Sequence, residues 1–273
     1  MKRFILACTG NFIAFSLFSM VIMSCTSNSY AQTAHVSDKS DYEILALSVG
    51  DDPVYSFEYD SEGRLVKYAD YMMLEIIEIS YEPTLTLKVY YPDAPQDDLA
   101  SVKNYMDVFN VELNDQNCIT YYKSRYYGLD EEGQPSFWDN DTSLEYDDNG
   151  RLTLLTSSSG TSFEIIYDAD GRLLQSVNPG FINQYVSSDI KNVDNQWMPL
   201  WYVCGGLEMT GLVGNAPAYF VTDGEQKFPD ESVSTARFNY TFNPDTNLVE
   251  TLLFQADDDP ELNFTVTYKD SIQ

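Results

Sequence analysis

Carboxylates are the side chains best suited to chemistry in this sequence of 273 residues, which holds 43 Asp and Glu but a single histidine, His35. A Ser-His-Asp or Cys-His arrangement needs a histidine beside its nucleophile, and a multi-histidine metal site needs several. His35 lies in a polar N-terminal stretch, so the sequence argues against both kinds of site. Two facing carboxylates would suffice for a polysaccharide hydrolase. No pair stands out among so many, and we assign no catalytic residue.

Three short acidic segments superficially resemble calcium loops: residues 147–150, 168–171 and 257–259. They lack the spaced series of ligands that ends in a bidentate glutamate. Hairpin-turn chemistry accounts for the first two, because Asp and Gly are favoured in such turns for reasons unrelated to metal. The sequence therefore predicts no metal site and no cofactor, with calcium kept as the alternative.

Aromatic side chains are the candidate ligand-binding groups. Trp138 and Phe137 fall in a segment, residues 129–141, that reads as a long acidic loop, and a large aromatic ring exposed on a loop indicates binding. Trp197 and Trp201 lie four residues apart on a predicted strand, so we expect them to share one face of the sheet and to pack in the core. Stacking of a sugar on Trp138 and Phe137 is the binding chemistry that this pattern favours.

Two cysteines remain in the predicted body of the protein, Cys118 and Cys204. An oxidising compartment would permit a disulfide between them. Two buried free thiols are the alternative. A catalytic role is disfavoured for either cysteine, because no histidine is available to activate it.

The N-terminus has the pattern of an export signal. Lys2 and Arg3 precede an uncharged, mostly apolar run over residues 4–23, which ends in Ile22-Met23-Ser24-Cys25. That ending resembles a lipobox, in which the cysteine is acylated after the preceding segment is removed. We therefore predict a signal peptide over residues 1–24 and lipidation at Cys25.

Other readings of this segment are a transmembrane anchor and ordinary cleavage after Ala31, which would leave a soluble secreted or periplasmic protein. Residues 25–40 are polar and lack apolar periodicity, which predicts a flexible tether. Removal of residues 1–24 leaves 13 basic residues against 43 acidic ones, a formal charge of about −30. So negative a surface excludes nucleic acid as a partner, because phosphate contacts need cations. Attachment to a membrane would then depend on the acyl chains.

One motif, Tyr-Asp-x-x-Gly-Arg-Leu, organises the rest of the chain and occurs at residues 59–65, 146–152 and 167–173. An Asp at the first corner can accept a hydrogen bond from a backbone amide two residues on, and the Gly supplies a positive φ. Each copy therefore predicts a tight hairpin turn. Weaker copies stand at residues 113–119, with Asn117 in the Gly position, and at residues 242–248, with Thr246 in that position. The predicted turn residues are Asp60, Gly63, Arg64, Asp147, Gly150, Arg151, Asp168, Gly171 and Arg172.

This motif resembles the tyrosine-aspartate (YD, or RHS-type) repeats of large bacterial surface and toxin-encapsulating proteins. It is more similar to the short copies found in a family of envelope lipoproteins from gut Bacteroidota, for which a porin-like β fold is described. The likeness covers the turns and the overall layout of signal, short tether and β-rich body. It implies a fold and a location at the cell envelope, and it implies no catalytic residues.

The fold predicted for residues 41–273 is all-β. Roughly fourteen strands follow one another at the spacing typical of antiparallel sheets, and residues 99–106 are the only plausible helix. We expect one large, curved antiparallel meander sheet that forms a barrel or half-barrel. A lipid-spanning barrel is the alternative, but it needs an apolar outer belt. Charges interrupt both faces of the strands, so we predict a soluble body; they include Glu75, Glu78, Lys88, Glu145 and Glu164.

These observations favour a non-enzymatic, exported lipoprotein that acts as a binding or scaffolding module in the outer membrane, at the cell surface or the periplasmic face. Its partner would be a glycan or another envelope protein. A carboxylate-dependent polysaccharide hydrolase is the competing hypothesis.

Overall fold

The structure is a computed structural model that describes residues 43–95, 97–130, 133–192, 195–198 and 207–269. Sixteen β-strands account for most of these residues. They are β1 (Ile44–Val49), β2 (Asp52–Tyr59), β3 (Leu65–Asp70), β4 (Glu75–Ser80), β5 (Thr86–Tyr90), β6 (Tyr105–Leu113), β7 (Ile119–Leu129), β8 (Pro135–Tyr146), β9 (Leu152–Ser157), β10 (Ser162–Tyr167), β11 (Leu173–Asn178), β12 (Phe181–Lys191), β13 (Tyr219–Lys227), β14 (Val233–Phe242), β15 (Val249–Ala256) and β16 (Leu262–Tyr268).

The strands form one closed antiparallel barrel. Each strand pairs with its neighbours in sequence, and β1 pairs with β16, for example through Leu47 and Val266. The predicted all-β meander is therefore confirmed, and it closes fully. Closure means that none of the sixteen described strands has an unpaired edge on which another chain could add.

Helix is nearly absent from the described residues. The helix predicted over residues 99–106 is wrong: only Leu99–Ser101 form a 3₁₀ turn, capped by Asp98, and Tyr105 and Met106 already belong to β6. A second 3₁₀ turn covers Leu207–Thr210. No helix in this part of the chain has the length and apolar character needed to cross a membrane.

Two further predictions about elements are wrong. The predicted loop over residues 129–141 is mostly strand, because β7 continues to Leu129 and β8 already begins at Pro135. Trp197 lies outside any strand, although a strand was predicted to contain it, and β13 was not predicted as a strand. The structure has sixteen strands, against the roughly fourteen predicted.

Alternation of strand direction gives the barrel two distinct ends. We call the end at which β1 begins and β16 ends the proximal end; Lys269 donates its backbone N–H to the carbonyl of Glu43 there. The turns of all five motif copies follow even-numbered strands, so they also lie at the proximal end. The connections that follow odd-numbered strands lie at the distal end.

A long connection closes the proximal end. Between β12 and β13, residues 212–218 hydrogen-bond to strands and turns on the rim of this end, whereas Leu207–Thr210 lie against β3, with Glu208 near Asp70. The backbone N–H of Asn215 donates to Gly150 O at 2.8 Å, and the backbone N–H of Ala218 donates to Gly171 O at 2.9 Å. Leu212 and Val213 are 1% and 0% exposed, so this connection extends the apolar core of the barrel.

Candidate functional site

The motif turns share one hydrogen-bond pattern. In the second copy, Asp147 Oδ1 accepts backbone N–H groups from Asn149 and Arg151, and Gly150 has a φ of 72°. The Arg151 guanidinium donates to Asp147 Oδ2, with Nε at 2.8 Å. The Asp therefore closes the turn and orients the Arg.

The other two copies follow the same pattern with one difference. Asp60 accepts both backbone bonds and pairs with Arg64 at 2.7 Å. Asp168 accepts the same backbone bonds, but Arg172 donates instead to Ser188 O and to Asp189.

The tyrosine of the motif binds the preceding hairpin. Tyr146 at the end of β8 donates its hydroxyl to Ile119 O at the start of β7, at 2.6 Å. Tyr59 makes the matching bond to Ile44 O at 3.0 Å. Each hydroxyl satisfies a strand carbonyl at the rim of the barrel, so these tyrosines are structural.

The arginine of the motif lies over a tyrosine ring further along the chain, and in the third copy Arg172 lies over Tyr219 at the start of β13. Arg64 lies over the ring of Tyr81 at 4.5 Å, and Arg151 lies over that of Tyr167 at 4.8 Å. Stacking of this kind stabilises the charge of the guanidinium and covers the ring. Contacts among the turns and strands of the proximal rim thus account for the Tyr, Asp, Gly and Arg of the motif without a ligand.

The weaker motif copies also form turns, with one correction. Asn114 accepts the backbone bonds and Asn117 takes the positive φ, as the alignment of that copy predicts. In the last copy the positive φ falls on Asn247 rather than on Thr246, because that turn is one residue longer. A further turn was not predicted from the sequence: Asp130 Oδ1 accepts the backbone N–H of Gln134 after β7.

The two candidate ligand-binding aromatics lie on opposite faces of β8. Phe137 points outward and is 60% exposed. Trp138 points into the barrel and stacks on Tyr126 at 4.4 Å. Sequence reasoning treated them as one site because it placed them in a loop, where alternation of faces does not apply.

Phe137 is the last member of a row of outward aromatic rings. Cross-strand pairing places Tyr90 opposite Tyr105, Tyr105 opposite Tyr127, and Tyr127 opposite Phe137. Tyr105 and Tyr127 are stacked at 4.5 Å, and each end pair is tilted at 6.4 Å. We call these four residues the aromatic row. It crosses β5 to β8 near their distal ends.

A row of alternating charges runs beside the aromatic row. Lys88 lies 3.8 Å from Asp107, and Arg125 forms a bidentate pair with Asp139. Lys88 also lies over the ring of Tyr105 at 4.2 Å. Opposite charges on facing strands stabilise a sheet. The full charge ladder, in register across β2 to β8, is Glu58, Lys67, Glu78, Lys88, Asp107, Arg125 and Asp139.

A shallow groove of ≈ 720 Å³ lies on the other side of the charge ladder. Its lining includes five ladder residues together with Val66 and Phe109. The outer face of β2 to β8 therefore presents, in order from the distal end, aromatic rings, alternating charges and a groove.

Three carboxylates lie inside the barrel, away from this outer face. Asp70 and Glu75 are cross-strand neighbours on β3 and β4, and Glu208 belongs to the connection that closes the proximal end. Asp70 and Glu208 are 4% and 1% exposed. Asp70 Oδ1 accepts the backbone N–H groups of Met72 and Met73, so it closes the β3–β4 turn. A polysaccharide chain has no access to these two carboxylates.

Burial dominates the protonation of this group. Loss of solvent raises the pKa of Asp70 to about 7, and the charge of Glu208 adds to the effect. Burial also raises the pKa of Glu75 well above its usual range, with the charges of Asp70 and Glu208 acting in the same direction. Among the described residues, no three His, Cys, Asp or Glu side chains are placed to hold a metal ion.

Several predicted positions lie outside the described residues: Cys25, His35, Trp201 and Cys204. Cys118 is buried, with Sγ 3.6 Å from Gln116 O, and forms no disulfide with a described residue. A bridge between Cys118 and Cys204 stays a prediction, because Cys204 lies outside the described residues. Trp197 is 6% exposed and donates its indole N–H to Gly214 O.

Comparison with known proteins shows a match to one repeat family and similarity to solved structures. A family model described as RHS Repeat matches residues 146–180, which contain two motif copies. No curated protein matches the chain.

Solved structures of porin-like proteins from two Bacteroides species are similar to this chain. The Bacteroides uniformis protein is 16% identical, with a TM-score of 0.51 over 85% of this chain and 98% of its own. The Bacteroides vulgatus protein is 12% identical, with a TM-score of 0.47 over 83% and 98%. This chain therefore carries an RHS-type repeat on a barrel with the fold of the Bacteroides uniformis protein.

Proposed function

We propose that this protein is an exported, non-enzymatic binding module of the cell envelope that holds a neutral glycan on the outer face of β5 to β8. The aromatic row carries this proposal. It is an ordered set of outward rings, Phe137 is 60% exposed, and the charges of the ladder border it.

The chemistry of this face suits a sugar chain. Aromatic rings cover the apolar faces of pyranose rings, while Lys, Arg and Asp side chains supply donors and acceptors for hydroxyl groups. The row crosses four strands and therefore extends for roughly 14 Å, since neighbouring strands lie ~4.8 Å apart. That length suits a linear oligosaccharide of a few rings.

Charge favours a neutral glycan over an anionic one. The ladder alternates in sign, so it offers no concentrated charge of either kind, and the chain as a whole has a formal net charge of −28. A negative field of this size repels nucleic acid and acidic polysaccharides.

The position of the row fits a tethered protein. The described chain begins at the proximal end, whereas Tyr90 and Phe137 lie at the distal ends of their strands. A lipid on Cys25 would therefore hold the proximal end towards the membrane and leave the aromatic row accessible. The RHS-type repeat and the fold support an envelope location.

The charge ladder also supports a water-facing body. A lipid-facing barrel needs a continuous apolar outer belt, and the ladder crosses seven strands of this outer surface. Burying these ion pairs against lipid would cost more than their mutual attraction returns.

Glycan binding is tested on the mature, non-acylated chain with an array of neutral and acidic polysaccharides, followed by titration of any hit. We expect a neutral glycan to bind, and Phe137→Ala and Tyr127→Ala to weaken binding about tenfold or more. Val186→Ala, which removes an exposed apolar side chain from β12, is the matched control and should bind normally. Glycan binding that is unchanged by both aromatic substitutions would overturn the proposal. If no glycan binds and an envelope protein co-purifies with the chain, a scaffolding role is favoured instead.

Hydrolysis is tested with the same polysaccharides by release of reducing ends. We expect none, because Asp70 and Glu208 are buried. Lipidation is tested by incorporation of labelled palmitate, which Cys25→Ala should abolish; a mature N-terminus after Ala31 would show ordinary cleavage instead.

A further inference from the structure

The charge ladder is balanced in charge on β5 to β8, unlike the chain as a whole. Lys88 and Arg125 alternate there with Asp107 and Asp139, so two positive and two negative side chains cancel. The whole chain has a formal net charge of −28, so two copies repel each other wherever acidic surfaces approach. The outer face of β5 to β8 is therefore a surface on which two copies can meet without that repulsion.

The order of the charges makes this face complementary to itself. From β5 to β8 the signs run positive, negative, positive, negative. A two-fold axis that runs along the strands, between β6 and β7, reverses this order in a facing second copy. Asp107 then lies opposite Arg125 of the second copy. Lys88 likewise lies opposite Asp139 of the second copy, and symmetry makes each of these pairings twice.

The aromatic row has the same centre as these four charges. Its rings also lie on β5 to β8, so the axis passes between Tyr105 and Tyr127, which are cross-strand neighbours. Tyr105 therefore packs against Tyr127 of the second copy, and Tyr90 packs against Phe137 of the second copy. Phe137 is 60% exposed in a single chain, and burial of such a ring favours association. The rings thus supply apolar contact beside the charge pairs.

The four charged side chains are accessible and already ordered. Between 34% and 40% of each is exposed, which leaves room for a partner. Contacts within the chain hold them in place, because Lys88 lies 3.8 Å from Asp107 and Arg125 forms its bidentate pair with Asp139. Side chains that are ordered beforehand lose less conformational entropy when a partner binds.

We propose that a second copy of this chain docks on the outer face of β5 to β8 and forms a two-fold symmetric dimer. The axis preserves strand direction, so the proximal ends of both copies lie on the same side, as two chains tethered to one membrane require. Four strands span only roughly 14 Å, since neighbours lie ~4.8 Å apart, and an interface this small is reversible, with a Kd in the micromolar range. The dimer does not depend on the proposed glycan, but it covers the aromatic row, so a glycan and a second copy exclude each other there.

Sedimentation velocity tests the dimer on the mature, non-acylated chain, at about 1 to 300 µM and without any glycan. We expect the parent to dimerise as its concentration rises. Asp107→Arg and Arg125→Asp each place like charges opposite one another twice, and each should weaken the dimer about tenfold or more. An equimolar mixture of these two variants restores opposite charges at both contacts and should dimerise as the parent does. Arg237→Asp is the control, because it changes the net charge as Arg125→Asp does from an exposed position on β14, and it should dimerise normally.

Three results would overturn the proposal. The parent could stay monomeric throughout this range, or the two single variants could dimerise as well as the parent does. The third is a mixture that stays monomeric although the parent dimerises, which would place the contact on another face. Near-ultraviolet circular dichroism establishes that each variant is folded. Because no glycan is present, this measurement and the glycan array can fail separately.

Discussion

The guanidinium of Arg151 in one turn occupies the space into which a side chain on Gly171 in the next turn would project. Arg151 is 8% exposed, pairs with Asp147 and lies over the ring of Tyr167. A glycine is therefore required at position 171 for two reasons. Its φ of 85° disfavours a side chain, and Arg151 already occupies the position of a Cβ. These two neighbouring motif copies therefore fit together at the proximal rim.

Substitution of Gly171 tests this interlock. Gly160→Ala is the matched control, because Gly160 also has a φ of 85° but has no atom near its Cβ position. The control should cost about 1–2 kcal/mol, which is the left-handed penalty alone. Gly171→Ala should cost about 1.5–3 kcal/mol more, because it displaces a buried charged group from its partners. Urea denaturation measures both, and equal losses would contradict the interlock.

The Asp of the motif should stabilise the protein in a pH-dependent way. Burial acts to raise the pKa of Asp147, but hydrogen bonds from Arg151 and Asn149 outweigh it and lower that pKa below its usual value. Its contribution is therefore present above pH ~4 and is lost as the pH falls below the pKa of an unfolded Asp. We expect Asp147→Ala to cost about 2 kcal/mol at pH 7 and less in acid.

The adjacent residue supplies the control for that experiment. Asp148 is exposed in the same turn, and Asp148→Ala should change the free energy of unfolding by less than about 0.5 kcal/mol. Similar losses for the two variants would show that the turn does not depend on the side chain of Asp147.

Asp70 should have the opposite pH dependence. Burial raises its pKa to about 7, so the folded state binds a proton more tightly than the unfolded state does. The contribution of Asp70 to the free energy of unfolding is then largest below pH ~4. It declines as the pH rises towards 7, by at most about 1.4 kcal/mol per pH unit. Asp70→Asn keeps the acceptor for Met72 and Met73, and should be more stable than the parent at pH 8 but not at pH 4.

Unfolding curves at several pH values test this prediction, with the exposed Asp258→Asn as a control for loss of one negative charge. If Asp258→Asn stabilised the protein at pH 8 as much as Asp70→Asn, the effect would arise from net charge and not from burial.

Reversing the charge of Lys88 tests whether the alternating charges of the ladder stabilise the sheet. Lys88→Glu places a third negative charge between Glu78 and Asp107, and like charges on facing strands are destabilising. We expect a loss of about 0.5–1 kcal/mol at low salt that shrinks in 1 M salt. Lys103→Glu changes the net charge equally from an exposed position outside the strands, and should cost less. A loss that salt leaves unchanged would mean that packing, not charge, is responsible.

Turn chemistry was readable from the sequence because it is local. Asp60, Asp147 and Asp168 bind amides only two and four residues ahead, and each motif Gly takes its positive φ inside the same turn. Seven residues are enough to specify such a turn, whatever surrounds it. The missed turn at residues 130–134 has the same Asp-x-x-Gly spacing, and that signal would have placed Phe137 and Trp138 on a strand with opposite faces.

The sequence by itself thus determined the antiparallel meander and its hairpins. Only the tertiary structure decided that β1 meets β16, that residues 212–218 bond to the proximal rim, and which ring of the Phe137–Trp138 pair faces water. Closure joins strands at opposite ends of the described chain, for example through Leu47 and Val266. Such pairings depend on the packing of the whole core, which no local pattern encodes.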